Sequence, residues 1–346
     1  MRAAVFYGPN NMKVEEVKIP KISADEILVK VKVSAVCGTD VRIYEGKKTK
    51  DVRIPATIGH ELVGVIDKVG ENVEGYQVGE RIGVMPVIPC GHCHYCLNGK
   101  ENVCANRTAI GYEYDGGFAE YVRIPTTAIK AGNLVKIPDH ITFEQAVIIE
   151  PLACCLNGNK KANVKMNDTV VVIGGGPIGL MHVQLAKIAG ARKVILSEII
   201  GHRREKGKRS GADIVVNPEE ESLQEIVEEV TGGLGADVVI MAIGVPQLIN
   251  GAIYLLKKGG TLNLFAGFTK GILSEIDPNE IHYRELNVNG TSALTRADYH
   301  QSLALVAAGK INTEVIISEG YTLEDIQKAI EDVRDGVGMK AIINID

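Results

Sequence analysis

Apolar positions along this chain follow two different rhythms. From residue 1 to about 125 they come as short alternating runs broken by glycines and turn residues. In EILVKVKVSAV, the residues Ile27, Leu28, Val29, Val31, Val33 and Ala35 make up a near-alternating apolar face. Lys30, Lys32 and Ser34 are predicted to point outward, the pattern of a half-buried strand. ELVGVIDKVG and ERIGVMP repeat the theme, so this region is predicted to be all-β and barrel-like. Near residue 142 the character changes. Thr142 is placed to cap a short helix through Glu144 and Gln145, and Pro151 opens another helical piece. Continuous apolar runs then alternate with helical ones: DTVVVIG and PIGLMHVQLAKIAG, KVILSE and HRREKGKRSG, DIVV and LQEIVEEVTG, ADVVIMAIG and QLINGAIYLLKKGG, then TLNLFAG and ELNVNG. Buried strands alternating with helices predict an α/β doubly wound parallel sheet. Two more helices, about 297–309 and 322–335, and a last strand KAIINI fall outside that rhythm and are expected to return to the first domain. The expected division is 1–152 with 292–346 as one domain and 153–291 as the other.

Composition acts here mainly by exclusion. A length of 346 residues exceeds one ordinary core, which agrees with two domains. The net charge of −5 argues against nucleic acid or an anionic membrane as the main partner, since both reward a basic surface. No apolar run approaches the roughly 20 residues of a membrane span. The opening MRAAVFYGPN shows no long apolar stretch or cleavage site, so a cytoplasmic location is expected.

Three constellations carry chemistry. Gly174, Gly176 and Gly179 form G-x-G-x-x-G directly after a predicted strand, with Pro177 and Ile178 opening the helix that follows. Such glycines serve a tight turn, close approach to a pyrophosphate, and helix–strand packing, and the phosphates meet the helix N-terminus. Glu198 ends the next strand, 24 residues after Gly174, where an acid holds ribose hydroxyls and repels a 2′-phosphate. NAD is therefore the expected coenzyme. His202, Arg203 and Arg204 follow, either as a solvated face or as cations that soften this preference.

The second constellation is Cys90, Cys93, Cys96 and Cys104, four thiols within fifteen residues. They suffice for a closed tetrahedral zinc with no position left for water, hence a structural site; an iron–sulfur cluster is the competing reading. His92 and His94 between them are expected to be exposed loop residues. The third is Cys37, His60, Glu61 and Glu150, ordinary singly, which together fit an open zinc site with three protein ligands and a variable fourth position. Glu150 also suits a helix start, where the macrodipole favours a carboxylate. Cys154 and Cys155 read as core packing.

The runs CGTD, GHE, the four-cysteine lobe, GGFAEY, EPLAC and GGGPIGL, in this order, resemble the zinc-containing medium-chain dehydrogenases over essentially the whole chain. GHE and EPLAC are more similar to the sorbitol (polyol) and threonine dehydrogenase branch than to the ethanol branch. The resemblance implies a GroES-like β-rich catalytic domain and a Rossmann coenzyme domain, with one catalytic and one structural zinc per chain. Catalytic zinc would be held by Cys37, His60 and either Glu61 or Glu150, with the other carboxylate exchanging or bound through water. Thr39 would hydrogen-bond the substrate hydroxyl and pass its proton on, with Asp40 behind the metal ligands. The implied activity is hydride transfer between NAD and a secondary hydroxyl of a polyol or similar small alcohol, by a homotetramer or homodimer.

Two departures from the family pattern stand out. Many relatives carry a histidine where this chain has Arg42, which cannot act as a base near neutral pH. Arg42 then either contacts an anionic group of cofactor or substrate, or lies exposed beside Tyr44. Sorbitol dehydrogenases carry an Arg-Tyr pair where this chain reads about Ala293-Leu294, and nearby Arg296 is not moved into that role. A threonine or phosphorylated-polyol dehydrogenase, a zinc-free quinone-reductase-like enzyme and a non-catalytic NAD-binding sensor remain as alternatives. The candidate zinc ligands weigh against the last two.

Overall fold

The strand Ile27–Ala35 organises the first unit, because it has neighbours on both edges. On one edge it pairs antiparallel with Glu61–Val69 along its whole length, and on the other with Tyr121–Ile124 at its start and the last strand, Lys340–Asn344, at its end. This is a computed structural model, and it describes residues 1–268 and 271–345. The chain divides into two units, Met1–Ala153 with Ala293–Gly309 and Ile317–Asp346, and Cys154–Ser292 with Lys310–Ile316.

In the first unit the main sheet runs Leu134–Lys136, Arg81–Val84, Glu61–Val69, Ile27–Ala35, Lys340–Asn344, Ile317–Thr322. A smaller sheet joins Arg2–Gly8 to Asn11–Glu16 and Ala56–Thr57. Alternation along the strands buries Val29, Val31, Leu62, Ile66, Ile82 and Val84 in one core with Phe118 and Ile343. Ser34 corrects the outward expectation: it is fully buried and its Oγ donates to the Glu61 carbonyl at 2.7 Å, so its polar atom is satisfied inside. Thr142 caps Phe143–Val147, accepting from the Gln145 amide, and Ile149–Ala162 follows at once.

The second unit holds six parallel strands in the order Ile214–Val216, Lys193–Ser197, Thr169–Ile173, Ala236–Met241, Leu256–Leu264, Asn287–Gly290. The chain reverses its direction of winding at Thr169–Ile173, the doubly wound order, which leaves a crevice at the strand ends. That strand is completely apolar after Thr169, as a strand covered on both faces must be. One predicted helix is shorter than its pattern: Leu248–Tyr254 stops early, and Leu256–Leu264 is already strand. Gly259 and Gly260 in LLKKGG do not hold a helix, and the pairing register shifts between Ala236 and Val238 to absorb the extra residues. The strand Ile317–Thr322, ISEGYT, is weakly patterned and was not anticipated. Residues 310–316 stay with the second unit, where the Gln184 side chain donates to the Asn312 carbonyl at 3.2 Å and accepts its amide at 2.7 Å.

Candidate active site and metal centres

Strand register brings the third constellation together. Ala35 faces Glu61 on one side and Ile342 on the other, so two residues further along, Cys37 runs past the turn holding His60 and past Lys340. The turn depends on Gly59, whose φ of +93° favours glycine and where a Cβ would stand 2.7 Å from the Phe118 ring. Ligand atoms of Cys37, His60 and Glu61 lie within 4.8 Å of one another.

Asp40 fixes two members of this cluster. Its Oδ2 accepts the Cys37 amide at 2.9 Å and its Oδ1 lies 3.1 Å from His60 Nδ1. That contact commits Nδ1 as donor and leaves Nε2 as the ligating nitrogen, the usual outer support of a metal-bound imidazole. Tyr112 packs its ring 5.4 Å from the His60 ring, with its hydroxyl 3.5 Å from Nδ1. Glu61 is fully buried; Oε1 receives Lys340 Nζ at 2.5 Å, while Oε2 has no hydrogen-bond partner among the described residues. An orphaned buried carboxylate oxygen beside a thiol and an imidazole is a donor set waiting for a cation. The surrounding charge agrees. Burial by itself would lower the proton affinity of His60, yet Tyr112, Asp40 and Cys37 raise it well above its ordinary value. Burial likewise opposes the Lys340 ammonium, and Glu61, Cys37 and Glu150 together raise it. The residues present fit a zinc ion of the open kind.

Glu150 falls outside the 4.8 Å triplet, although it is buried and its charge reaches Tyr112, Tyr299 and Lys340. Thr39 is half-buried, next to Asp40 on the helix Gly38–Tyr44. Leu294 is buried and Ala293 has φ +55°, so neither presents a polar group where an Arg-Tyr pair would stand. Arg296 binds Glu101, its Nε and Nη2 reaching Oε2 at 2.9 and 2.8 Å, and is occupied there. Cys155 packs its sulfur 3.9 Å from the Met181 sulfur, and Cys154 is half-buried.

The cysteine lobe is self-contained. Cys90 and Cys104 sulfurs are 3.5 Å apart, Cys93 and Cys96 3.5 Å, and Cys93 and Cys104 3.8 Å. Sulfurs about 2.3 Å from a tetrahedral zinc stand about 3.8 Å from each other, whereas a disulfide brings them to about 2.05 Å. All four cysteines are free, and the spacing fits a closed zinc site. Backbone hydrogen bonds, chiefly at Cys96, hold the Cys93 thiol down at about 6, while burial pushes the Cys96 thiol up to about 12. His92 and His94 are exposed and lie outside the thiol group.

In the second unit the glycine loop is built as a phosphate cradle. Gly174 has φ +102°, a Cβ on Gly179 would lie 1.8 Å from the Gly174 carbonyl oxygen, and a Cβ on Gly176 would meet only Arg203 Nη1, at 4.0 Å. The space over Gly176 thus stays open at the N-terminus of the helix Pro177–Ile188. Glu198 accepts the Gly175 amide at 2.6 Å and the Ile200 amide at 2.8 Å, which sets its carboxylate beside the loop. Arg204 turns away to the Glu198 and Ile199 carbonyls.

A β-rich unit with one open and one closed metal cluster, in one chain with a doubly wound unit that carries a glycine cradle, defines a zinc-binding dehydrogenase. Family models agree: residues 23–139 match the alcohol dehydrogenase GroES-like domain and 177–308 match zinc-binding dehydrogenase. The chain belongs to the zinc-containing medium-chain alcohol dehydrogenase family. It is 32% identical over 340 residues to the D-arabitol-phosphate dehydrogenase of Enterococcus avium, covering 97% of this chain and 94% of that one. The starvation-sensing protein RspB of Escherichia coli is 37% identical over 331 residues, covering 95% and 94%. A zinc-binding dehydrogenase from Sinorhizobium meliloti, solved bound to NADP, superposes with a TM-score of 0.91 at 34% identity, covering 99% and 98%.

The sequence did not point to Tyr112 or Lys340. Lys340 is 279 residues from Glu61, and only the strand register joins them.

Proposed function

We propose that this protein is a zinc-dependent oxidoreductase that transfers a hydride between NAD and a secondary hydroxyl of a polyol or similar small alcohol. The observation that carries this is the Cys37–His60–Glu61 cluster, with its orphaned Glu61 oxygen and its imidazole held by Asp40. A zinc there supplies Lewis acidity toward the substrate oxygen. Cys37 and His60 Nε2 would hold it with Glu61 as third ligand, and Glu150 would be the nearby carboxylate available to exchange or act through water. Thr39 Oγ1 accepts the substrate hydroxyl proton and hands it to solvent. Gly174, Gly176, Pro177, Ile178 and Gly179 receive the coenzyme pyrophosphate, and Glu198 accepts from the ribose hydroxyls. A carboxylate at that place repels a 2′-phosphate, which favours NAD, with Arg203 the cation nearest the cradle. The residues 1–152 with 292–346 are the catalytic domain, apart from the segment 310–316 that packs with the other unit, and 153–291 are the coenzyme domain.

The Cys90, Cys93, Cys96 and Cys104 zinc is structural. We also read the protein as a cytoplasmic homodimer or homotetramer. No described helix is long and apolar enough to cross a membrane, and Asn287–Gly290 ends its sheet with one edge unpaired. Metal analysis with an alcohol and polyol panel, read by NADH absorbance, tests the function. Two zincs per chain with NAD-linked turnover are expected; a metal-free active protein overturns it.

A further inference from the structure

Most arginines of the first unit are neutralised in pairs, and the two that are not lie near the same lysine, Lys48. Among the described residues, six of this unit's eight arginines have a carboxylate within 4.0 Å, at Arg2, Arg53, Arg81, Arg123, Arg296 and Arg334. Arg42 and Arg107 do not. Arg42 sits half-buried on Gly38–Tyr44, five residues after Cys37, and its side chain has no hydrogen bond or ion pair among the described residues. Arg107 donates only to the Asn102 carbonyl, at 3.0 Å.

Lys48 lies in the same cluster. Its ammonium sits 4.3 Å from the centre of the Tyr112 ring and donates to the Lys50 carbonyl at 3.0 Å, with no carboxylate bound. Tyr112 is the residue whose hydroxyl and ring reach His60, so Lys48 stands one aromatic ring away from the metal cluster. Burial lowers the Lys48 ammonium pKa; Asp51 and Glu113 oppose that, and Arg107 and Arg42 push it further down. The neighbouring Lys47 is different, exposed and paired with Glu45 at 2.8 Å.

We propose, resting on the oxidoreductase reading above, that the substrate carries a phosphate monoester seated by Lys48 and Arg42, with Arg107 at the rim, while its hydroxyl lies at the Cys37–His60–Glu61 cluster. Three cations without a bound carboxylate, against Asp51 and Glu113 nearby, leave a net positive patch one aromatic ring away from a metal cluster that is otherwise electronegative. A phosphate monoester bears about −1.5 to −2 at neutral pH and offers three acceptor oxygens, so it satisfies both an ammonium and a guanidinium. A carboxylate, with one charge, leaves more of the patch unmet. The arrangement also gives Arg42 a role where a proton-relaying histidine is absent: it binds charge and moves no proton.

Calorimetry on the zinc-loaded full chain, saturated with NADH so that the coenzyme phosphate site is filled, tests this. A pentitol and a hexitol are compared with their 1-phosphates. Each ester is expected to bind about 100-fold tighter than its parent, and Lys48→Gln or Arg42→Gln to cut that ratio at least about tenfold. Lys47→Gln is expected to keep the ratio. Esters and parents binding within about threefold, a ratio unmoved in both variants, or ester binding seen only without NADH each overturn the proposal. NAD-linked turnover of the same four compounds judges the oxidoreductase reading separately, since the binding ratio needs no turnover.

Discussion

The two cysteine-containing clusters of the first unit are built in opposite ways. The lobe takes all its donors from residues 90–104, and its thiols meet one another with little help from the rest of the chain. The other cluster draws Cys37 from a helix start, His60 and Glu61 from a turn and strand, and then surrounds them with Asp40, Tyr112 and Lys340. A site whose ligands are local needs only the metal to close it, and closed sites stabilise. A site assembled across the sheet holds its donors in place beforehand and can leave a position open, which is what substrate chemistry requires.

The sharpest way to break this comparison is to remove one sulfur from each cluster. Cys37→Ser is expected to lower turnover by about 1000-fold or more, equivalent to about 4 kcal/mol, with little change in unfolding temperature. Cys104→Ser is expected to do the reverse. It should drop the unfolding midpoint by roughly 4–8 °C, as a loss of about 2 kcal/mol does in a unit of this size, while the remaining folded protein keeps most of its turnover. Metal analysis should give one zinc per chain in each variant. Equal thermal losses in the two would show that both clusters are structural.

How much of this was legible in the sequence follows from the same contrast. Cys90, Cys93, Cys96 and Cys104 are readable because spacing alone brings local ligands together. The glycine loop is readable because Gly174, Gly176 and Gly179 each answer a backbone requirement that no neighbour can supply. Periodicity located the parallel strands well, since a strand buried on both faces is apolar throughout. It failed at Ser34, because a polar residue can be buried when a carbonyl such as that of Glu61 lies across the sheet. It failed equally at Lys340, whose lysine inside KAIINI reads as a strand-end solvent residue. Only the pairing of Ile342 with Ala35 turns that side chain into the sheet, toward Glu61.

The Glu61–Lys340 pair gives the next-largest effect. Both side chains are nearly inaccessible, so removing Lys340 leaves a buried carboxylate without its counter-charge. Lys340→Met is expected to cost about 3 kcal/mol in urea unfolding of metal-free protein, in the range seen when one partner of a buried pair is deleted. The loss should shrink when zinc is present, because the metal charge replaces the ammonium. Adding Glu61→Gln to Lys340→Met should recover most of the stability, as a double-mutant cycle on a directly coupled pair does. A double variant as unstable as the sum of the singles would mean that Lys340 is held for packing alone.

The smallest effect tests whether the lobe is as independent as its sequence suggests. Arg296 caps no metal and touches no cysteine, yet it clasps Glu101, three residues before Cys104, and donates to the Ala131 carbonyl. The guanidinium is 44% exposed in its side chain, so screening by solvent keeps its contribution to stability below about 1 kcal/mol. Its geometry is nevertheless two-pronged, since the Arg296 backbone amide also donates to Glu101, at 2.6 Å. Such a clasp limits how far the Glu101–Val103 turn can open when a thiolate lets go. Arg296→Ala is therefore expected to leave turnover and the unfolding midpoint almost unchanged, but to speed zinc release from the lobe several-fold in a chelator-dye assay. An unchanged release rate would mean that the four thiols alone set the lifetime of the lobe, and the contrast between a local and an assembled cluster would then be complete.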